Sequence, residues 1–255
     1  MSSFPVSAAT ISAFMLVLAR TSSWVIAAPV LSSRGMSSIG RLAVAVALAL
    51  FVTPLVPRDH IPSALPAYLA AAGAQVMIGL ALGFLTNLLF TAFDVAGSLT
   101  DLAGGFSYAA IVDPLSGQPA ALFSRLFTMC FSALFFVTDS HLTVVGGFVS
   151  SFQALPVDKL PSFDAGAAAT LAHAVTQVLL SAFQVAAPLL GVLFLTDVAL
   201  GLAARFVPQA NAIQLALPAK TLVALTTAGA VLALLPHSLA SLVGPANDLP
   251  GGVFR

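Results

Sequence analysis

Long apolar runs, broken at only a few points by proline, glycine or a single charge, make up most of this chain. A helix needs about 20 apolar residues to cross the hydrocarbon of a bilayer. Val6 to Leu31 meets that length with Arg20 inside it. Leu42 to Thr53 is apolar but short, closed by Pro54 and Pro57. Ala67 to Leu99 is long and contains Gly79, Gly83 and Asp94. Ala120 to Ala154 is too long for one straight span, and Thr138-Asp139-Ser140-His141 interrupts it. Gly166 to Phe206 is longer still, with Pro188 near its middle and Asp197 beyond; Leu217 to Val243 closes the set.

The pattern predicts an all-α membrane protein of about six hydrophobic segments. Their lengths fit one bilayer thickness poorly. A long segment can tilt or kink, but a short one cannot be stretched. Two arrangements answer the mismatch: long and short arms of helical hairpins partly sheathed by protein, or ordinary tilted spans with imprecise ends. No connection is long enough to hold a nucleotide fold, a P-loop or a receptor domain. Residues 1–255 therefore read as a single membrane-embedded domain.

Composition sharpens this picture. The chain is 59% hydrophobic and 7% charged, where a soluble domain carries about 25% charged residues. Lipid or other proteins must cover most of its surface. Every acidic residue is Asp, which disfavours solvated helix faces laced with Glu–Lys pairs. A net charge of zero gives nucleic acid nothing to bind. The single cysteine, Cys130, excludes an internal disulfide and reads as a small packed hydrophobe. The amino terminus lacks the basic region of a secretory signal, and despite Val25-Ile26-Ala27-Ala28 the first stretch reads as a retained helix. Arg34 and Arg41 place the first connection on the inner side.

Ionisable groups at membrane depth cost about 2.5–3.5 kcal/mol each on insertion scales and are candidates for function. Arg20 reads either as an intersubunit or pore-facing salt bridge, or as a side chain snorkelling from a tilted helix. Asp94 and Asp101, seven residues apart, share a helix face; a proton relay or a polar seam toward a partner helix would each use such a ladder, and the seam is preferred. Gly79-x-x-x-Gly83 permits close helix approach, although a chain with 18 glycines also produces this spacing by chance. His173 reads as a packed histidine, and no metal, cofactor or catalytic constellation is expected, so the chain is not read as an enzyme.

The connection Gly104-Gly105-Phe106-Ser107-Tyr108-Ala109-Ala110-Ile111-Val112-Asp113-Pro114 is strangely apolar for a loop. Paired glycines allow unusual backbone angles, and Asp113-Pro114 favours a turn. It is expected either buried in protein or lining a cavity, or lying at the headgroups. The strongest motif runs from Asp197 through Gly201, Arg205, Pro208, Gln209 and Asn211, then Leu217-Pro218-Ala219-Lys220. Pro218 suits the first turn of a helix. Lys220 would then sit at that helix's positive end, where a headgroup phosphate or an acidic partner must offset it.

Gly-x-x-x-Arg-x-x-Pro-Gln-x-Asn at 201–211, followed by Pro-x-Lys at 218–220, resembles the FliR family of flagellar export proteins and the SctT proteins of virulence secretion. The resemblance extends in order through Arg20, Pro29, Arg34 to Arg41, Ala96-Gly97, Asp113-Pro114, Asp139-Ser140-His141 and Leu155-Pro156. The sequence departs from the family pattern at Ser140 and Ala216, where glycine is usual, and at Ala212-Ile213, where a bulky pair is usual. The resemblance implies a core subunit of the type III export gate, built of helical hairpins within a hetero-oligomeric helical assembly. It implies FliP-like and FliQ-like partners, an FlhB-like subunit, and passage of unfolded flagellar proteins across the bacterial inner membrane within the flagellar basal body. Gly104, Gly105, Phe106, Tyr108, Asp113 and Pro114 would belong to the pore plug. Arg20, Asp197, Gly201, Arg205, Pro208, Gln209, Asn211 and Lys220 would serve subunit packing. The reading from a different class is an independent proton-coupled transporter using Asp94, Asp101 and Asp197.

Overall fold

The computed structural model describes residues 8–28, 37–57, 61–62, 64–106, 121–157, 165–206, 212–233 and 235–236. Among them lie α1 (Ala8–Ala27), α2 (Ser38–Val52) running into a 3-10 turn (Thr53–Leu55), α3 (Leu65–Gly104), α4 (Leu122–Val137), α5 (Ser140–Ala154), α6 (Ala165–Phe206) and α7 (Ala212–Leu232). Among the described residues, four stretches are long and apolar enough to cross a membrane: Ala9–Ala27, Ser38–Leu55, Leu65–Gly104 and Ala169–Phe206. The bent pair α4–α5 makes a fifth if it counts as one span, and Pro218–Leu232 is a shorter apolar helix. At 40 and 42 residues, α3 and α6 each rise about 60 Å, roughly twice the thickness of the hydrocarbon core.

Two expected boundaries move. The second segment is not a short arm: its helix begins at Ser38, and with the 3-10 turn it spans 18 residues. Ser37 caps it by accepting the Gly40 N–H at 3.1 Å, so the polar turn Ser38–Arg41 is helical although it is not apolar. The last helix begins at Ala212, six residues before Pro218, which is an interior proline. Lys220 is consequently well inside α7 and not at its positive end.

The chain divides into two compact units, Met1–Leu88 with His141–Val175 and Val243–Arg255, and Leu89–Ser140 with Thr176–Leu242. Helices α3 and α6 contribute to both. In the first unit, α1 lies tightly against the first half of α3. A Cβ on Gly79 would collide with Ser23 and the Arg20 backbone, and one on Gly83 with Ala27. The Gly-x-x-x-Gly spacing is thus used as a contact surface. Trp24 stacks on Phe148 at 4.4 Å and donates its indole N–H to Thr86 at 3.3 Å, fastening α1 to α5 and α3.

In the second unit, α4 carries Phe123, Phe127, Phe131 and Phe135 at a spacing of four, which puts all of them on one buried face. Phe131 stacks on Phe93 of α3 at 4.1 Å and meets Phe90 edge-on at 4.7 Å. Gly97 of α3 lets the Ser124 backbone come into contact, a place no Cβ could occupy. Helix α4 ends where Asp139 takes φ 55°, a left-handed conformation that Asp tolerates better than most residues. The hydroxyls of Thr138 and Ser140 pair across this corner at 2.8 Å. The interruption expected at 138–141 is real. Cys130 is half-buried, and His173 is exposed instead of packed.

Candidate functional site

Three polar clusters stand out against the apolar background. The first is built on Arg20, which is fully buried. Its Nε donates to Gln75 Oε1 on α3 at 2.6 Å. Nη1 donates to the Ser151 carbonyl at 3.2 Å and its hydroxyl at 3.4 Å, and Nη2 to the Leu155 carbonyl at 2.9 Å. The guanidinium also lies over the Phe152 ring, 4.2 Å from its centroid. Ser151 belongs to the last turn of α5 and Leu155 follows it, so the cation caps the negative end of that helix. Gln75 completes the cluster by donating to the Val157 carbonyl at 3.2 Å. The acceptors are amide and hydroxyl oxygens, not a carboxylate, and all belong to this chain.

The second cluster surrounds Asp101. Its two carboxylate oxygens accept the backbone N–H groups of Phe123 at 2.9 Å and Ser124 at 3.1 Å. Helix α4 lacks a side-chain cap of its own, and Asp101 supplies one from α3, an anion at the positive helix end. Asp94, two turns earlier, accepts from the Ser124 hydroxyl. The two aspartates therefore form the polar seam toward a partner helix, and that partner is α4. Just beyond Asp101, α3 stops in a Schellman turn: Gly105, at φ 80°, donates to Leu102 at 3.3 Å, and Phe106 donates to Asp101 at 3.0 Å. Phe106 then meets Phe123 edge-on at 5.4 Å. The structure thus brings Gly104, Gly105 and Phe106 beside the start of α4. Tyr108, Asp113 and Pro114 lie outside the described residues.

The third cluster joins α6 and α7. Lys220 Nζ pairs with Asp197 at 2.5 Å and donates to the Ala103 carbonyl, in the last turn of α3, at 3.3 Å. Of the two groups expected to offset Lys220, a headgroup phosphate or an acid, the structure supplies the acid: Asp197, eight residues before Arg205 on the same long helix. Gly201 and Arg205 are exposed on α6, and a Cβ at Gly201 would meet open space. Arg205 stands in the last turn of its helix, where a cation is favoured. Pro208, Gln209 and Asn211 lie outside the described residues. Gln75, Ser124 and Ser151 escaped the sequence reading. A polar amide within an otherwise apolar helix was the signal for Gln75; the serines gave none, since serine is common in such helices.

These clusters hold helices together. Apolar helices fastened by buried polar clamps define an all-α membrane protein. A family model described as bacterial export proteins, family 1, matches residues 11–245. The chain is 32% identical over 211 residues to the flagellar biosynthetic protein FliR of Bacillus subtilis, covering 82% of this chain and 81% of that protein. It is 29% identical over 208 residues to FliR of Escherichia coli, covering 82% and 79%. It is also 28% identical over 214 residues to the Yop proteins translocation protein T of Yersinia pestis, covering 83% and 82%. The chain belongs to the FliR family of bacterial export proteins.

Proposed function

We propose that this chain is a core subunit of the flagellar type III export gate, seated in the bacterial cytoplasmic membrane within the basal body. With FliP-like and FliQ-like subunits, and an FlhB-like subunit beside them, it would form the pore through which unfolded flagellar proteins pass. The observation that carries the reading is the family match across residues 11–245. The exposed face of α6 supports it. Phe194, Val198, Leu202 and Phe206 are exposed at helical spacing, Phe206 at 81%, beside Gly201 and Arg205. Apolar residues interleaved with a glycine and an arginine suit protein contact better than plain lipid.

In this reading Asp197, Gly201 and Arg205, with Pro208, Gln209 and Asn211, belong to the surface that packs on sister subunits. Lys220 fixes α7 against that surface, and Arg20 acts indirectly by holding α1, α3 and α5. The stretch Gly104–Pro114 is the pore plug, entered through the Schellman turn beside Asp101. Residues 1–255 act as one membrane-embedded domain. The gate is passive: no residue is assigned a catalytic step, and no cofactor is assigned.

The test is the native mass of the complex extracted in mild detergent after co-expression with genomic neighbours. A hetero-oligomer containing this chain is expected. Deleting 104–114 should make membranes leak small ions; unchanged permeability in an assembled complex would remove the plug. Substrate uptake by the purified chain alone in liposomes would instead favour the proton-coupled transporter.

A further inference from the structure

In the first unit, the last turns of α1 and the first turns of α2 enclose a groove of about 380 Å³, within the range of small-molecule sites. Its walls are Val25 and Ile26 of α1 and Leu42 and Ala45 of α2; Ser22, Ser38 and Arg41 add polar atoms. Ser22 spends its hydroxyl on the Ala19 carbonyl at 3.2 Å, so the polarity that remains is at the start of α2. There Arg41 makes a long bond from Nη2 to the Ser38 hydroxyl, 3.4 Å. Its Nε is buried and has no acceptor. Among the described residues no carboxylate lies within ion-pair distance of Arg41.

A guanidinium presents five donors in a fork that matches phosphate. An unmatched buried donor is costly, so something outside the described chain is expected to meet this one. The position narrows the choice. Both walls belong to membrane-length helices, Ala9–Ala27 and Ser38–Leu55, and the groove lies where one ends and the next begins, at headgroup depth. The N-terminus of α2 adds positive potential beside Arg41. Free phosphate would satisfy Arg41 but leave the apolar walls unused. A lipid uses both.

We infer that the α1–α2 groove is a binding site for an anionic glycerophospholipid, with the phosphate on Arg41 and Ser38 and the proximal acyl chain along the exposed side chains of Ile26 and Leu42. The full chain, purified in mild detergent, is titrated with phosphatidylglycerol and with phosphatidylcholine and read by native mass spectrometry. One phosphatidylglycerol is expected to bind with about tenfold preference. Arg41→Gln should abolish the preference, and Arg41→Lys should keep part of it. Ile26→Ser strips the exposed apolar wall, Ile26 being 63% exposed, while leaving the cation, and should also weaken binding. Wild-type retention by Arg41→Gln would overturn the proposal. So would displacement of the lipid by millimolar inorganic phosphate with Ile26→Ser silent, which would mark a plain anion site. A photo-crosslinker replacing Leu42 should label lipid in membranes of the co-expressed complex. Labelling of a partner polypeptide alone would overturn it equally.

Discussion

The Asp101 carboxylate accepts the backbone N–H of Phe123 at 2.9 Å, twenty-two residues further along the chain. With Ser124 bound to the other oxygen at 3.1 Å, one α3 side chain caps α4 in place of any residue preceding it. Asp101→Asn keeps one acceptor oxygen and loses the charge, whereas Asp101→Leu leaves two N–H groups without partners at a buried helix end. Each such orphan costs about 1–3 kcal/mol. The midpoint of thermal unfolding in detergent should fall in the order wild type, Asn, Leu. A Leu variant as stable as wild type would show that α4 needs no cap.

Arg20 and Gln75 give a second expectation. They sit on α1 and α3 and share one hydrogen bond of 2.6 Å, and each also holds carbonyls at the end of α5. Arg20→Met and Gln75→Leu should each destabilise the purified chain, with Arg20→Met the more severe because it removes three further bonds and the contact with Phe152. Contacting residues show coupling energies of about 0.5–3 kcal/mol, so the double variant should be less damaged than the sum of the single ones. Strict additivity in a denaturant series would place the two in separate networks.

The tight α1–α3 contact separates two kinds of glycine. Gly79→Val puts methyl groups into Ser23 and the Arg20 backbone, while Gly229→Ala on α7 meets nothing within 4 Å. Gly79→Val should lower both stability and accumulation in the membrane. Gly229→Ala should be neutral or gain about 0.5–1 kcal/mol from lower unfolded-state freedom. Equal behaviour of the two would mean that helix approach does not limit this fold.

How much of this could be read in advance depended on the kind of signal. Bilayer crossing is written one-dimensionally in apolar length, so the segments and the corner at Asp139 were legible. Helix starts at Ser38 and Ala212 were not, because a polar first turn and an interior proline both look like boundaries. The clamps were half legible. Arg20, Asp101 and Lys220 announce themselves as charges in an apolar chain, but most of their partners are backbone groups of Ser151, Leu155, Phe123, Ser124 and Ala103. Every residue carries those groups, and no letter marks which ones the fold brings near. Lys220 called for either a headgroup phosphate or an acid, and Asp197 is that acid, although the helix-end argument behind the expectation failed.

That pair supplies the last prediction. Lys220 bonds both the Asp197 carboxylate and the Ala103 carbonyl, so it ties α6 and α7 to the end of α3, three residues before Phe106. A charge left alone at membrane depth costs about 2.5–3.5 kcal/mol; Asp197→Ala and Lys220→Ala each create one and should reduce the chain recovered from membranes. The exchange Asp197→Lys with Lys220→Asp restores the pair but places an anion at the α3 carbonyls, where a cation is favoured. Accumulation should therefore recover in the exchanged protein while flagellar export, measured as filament protein in the medium, stays low. Full recovery of both would mean that the ion pair alone matters and that the hold on Ala103 is incidental. Recovery of neither would mean that Asp197 is needed where it stands, as an exposed acid for a sister subunit.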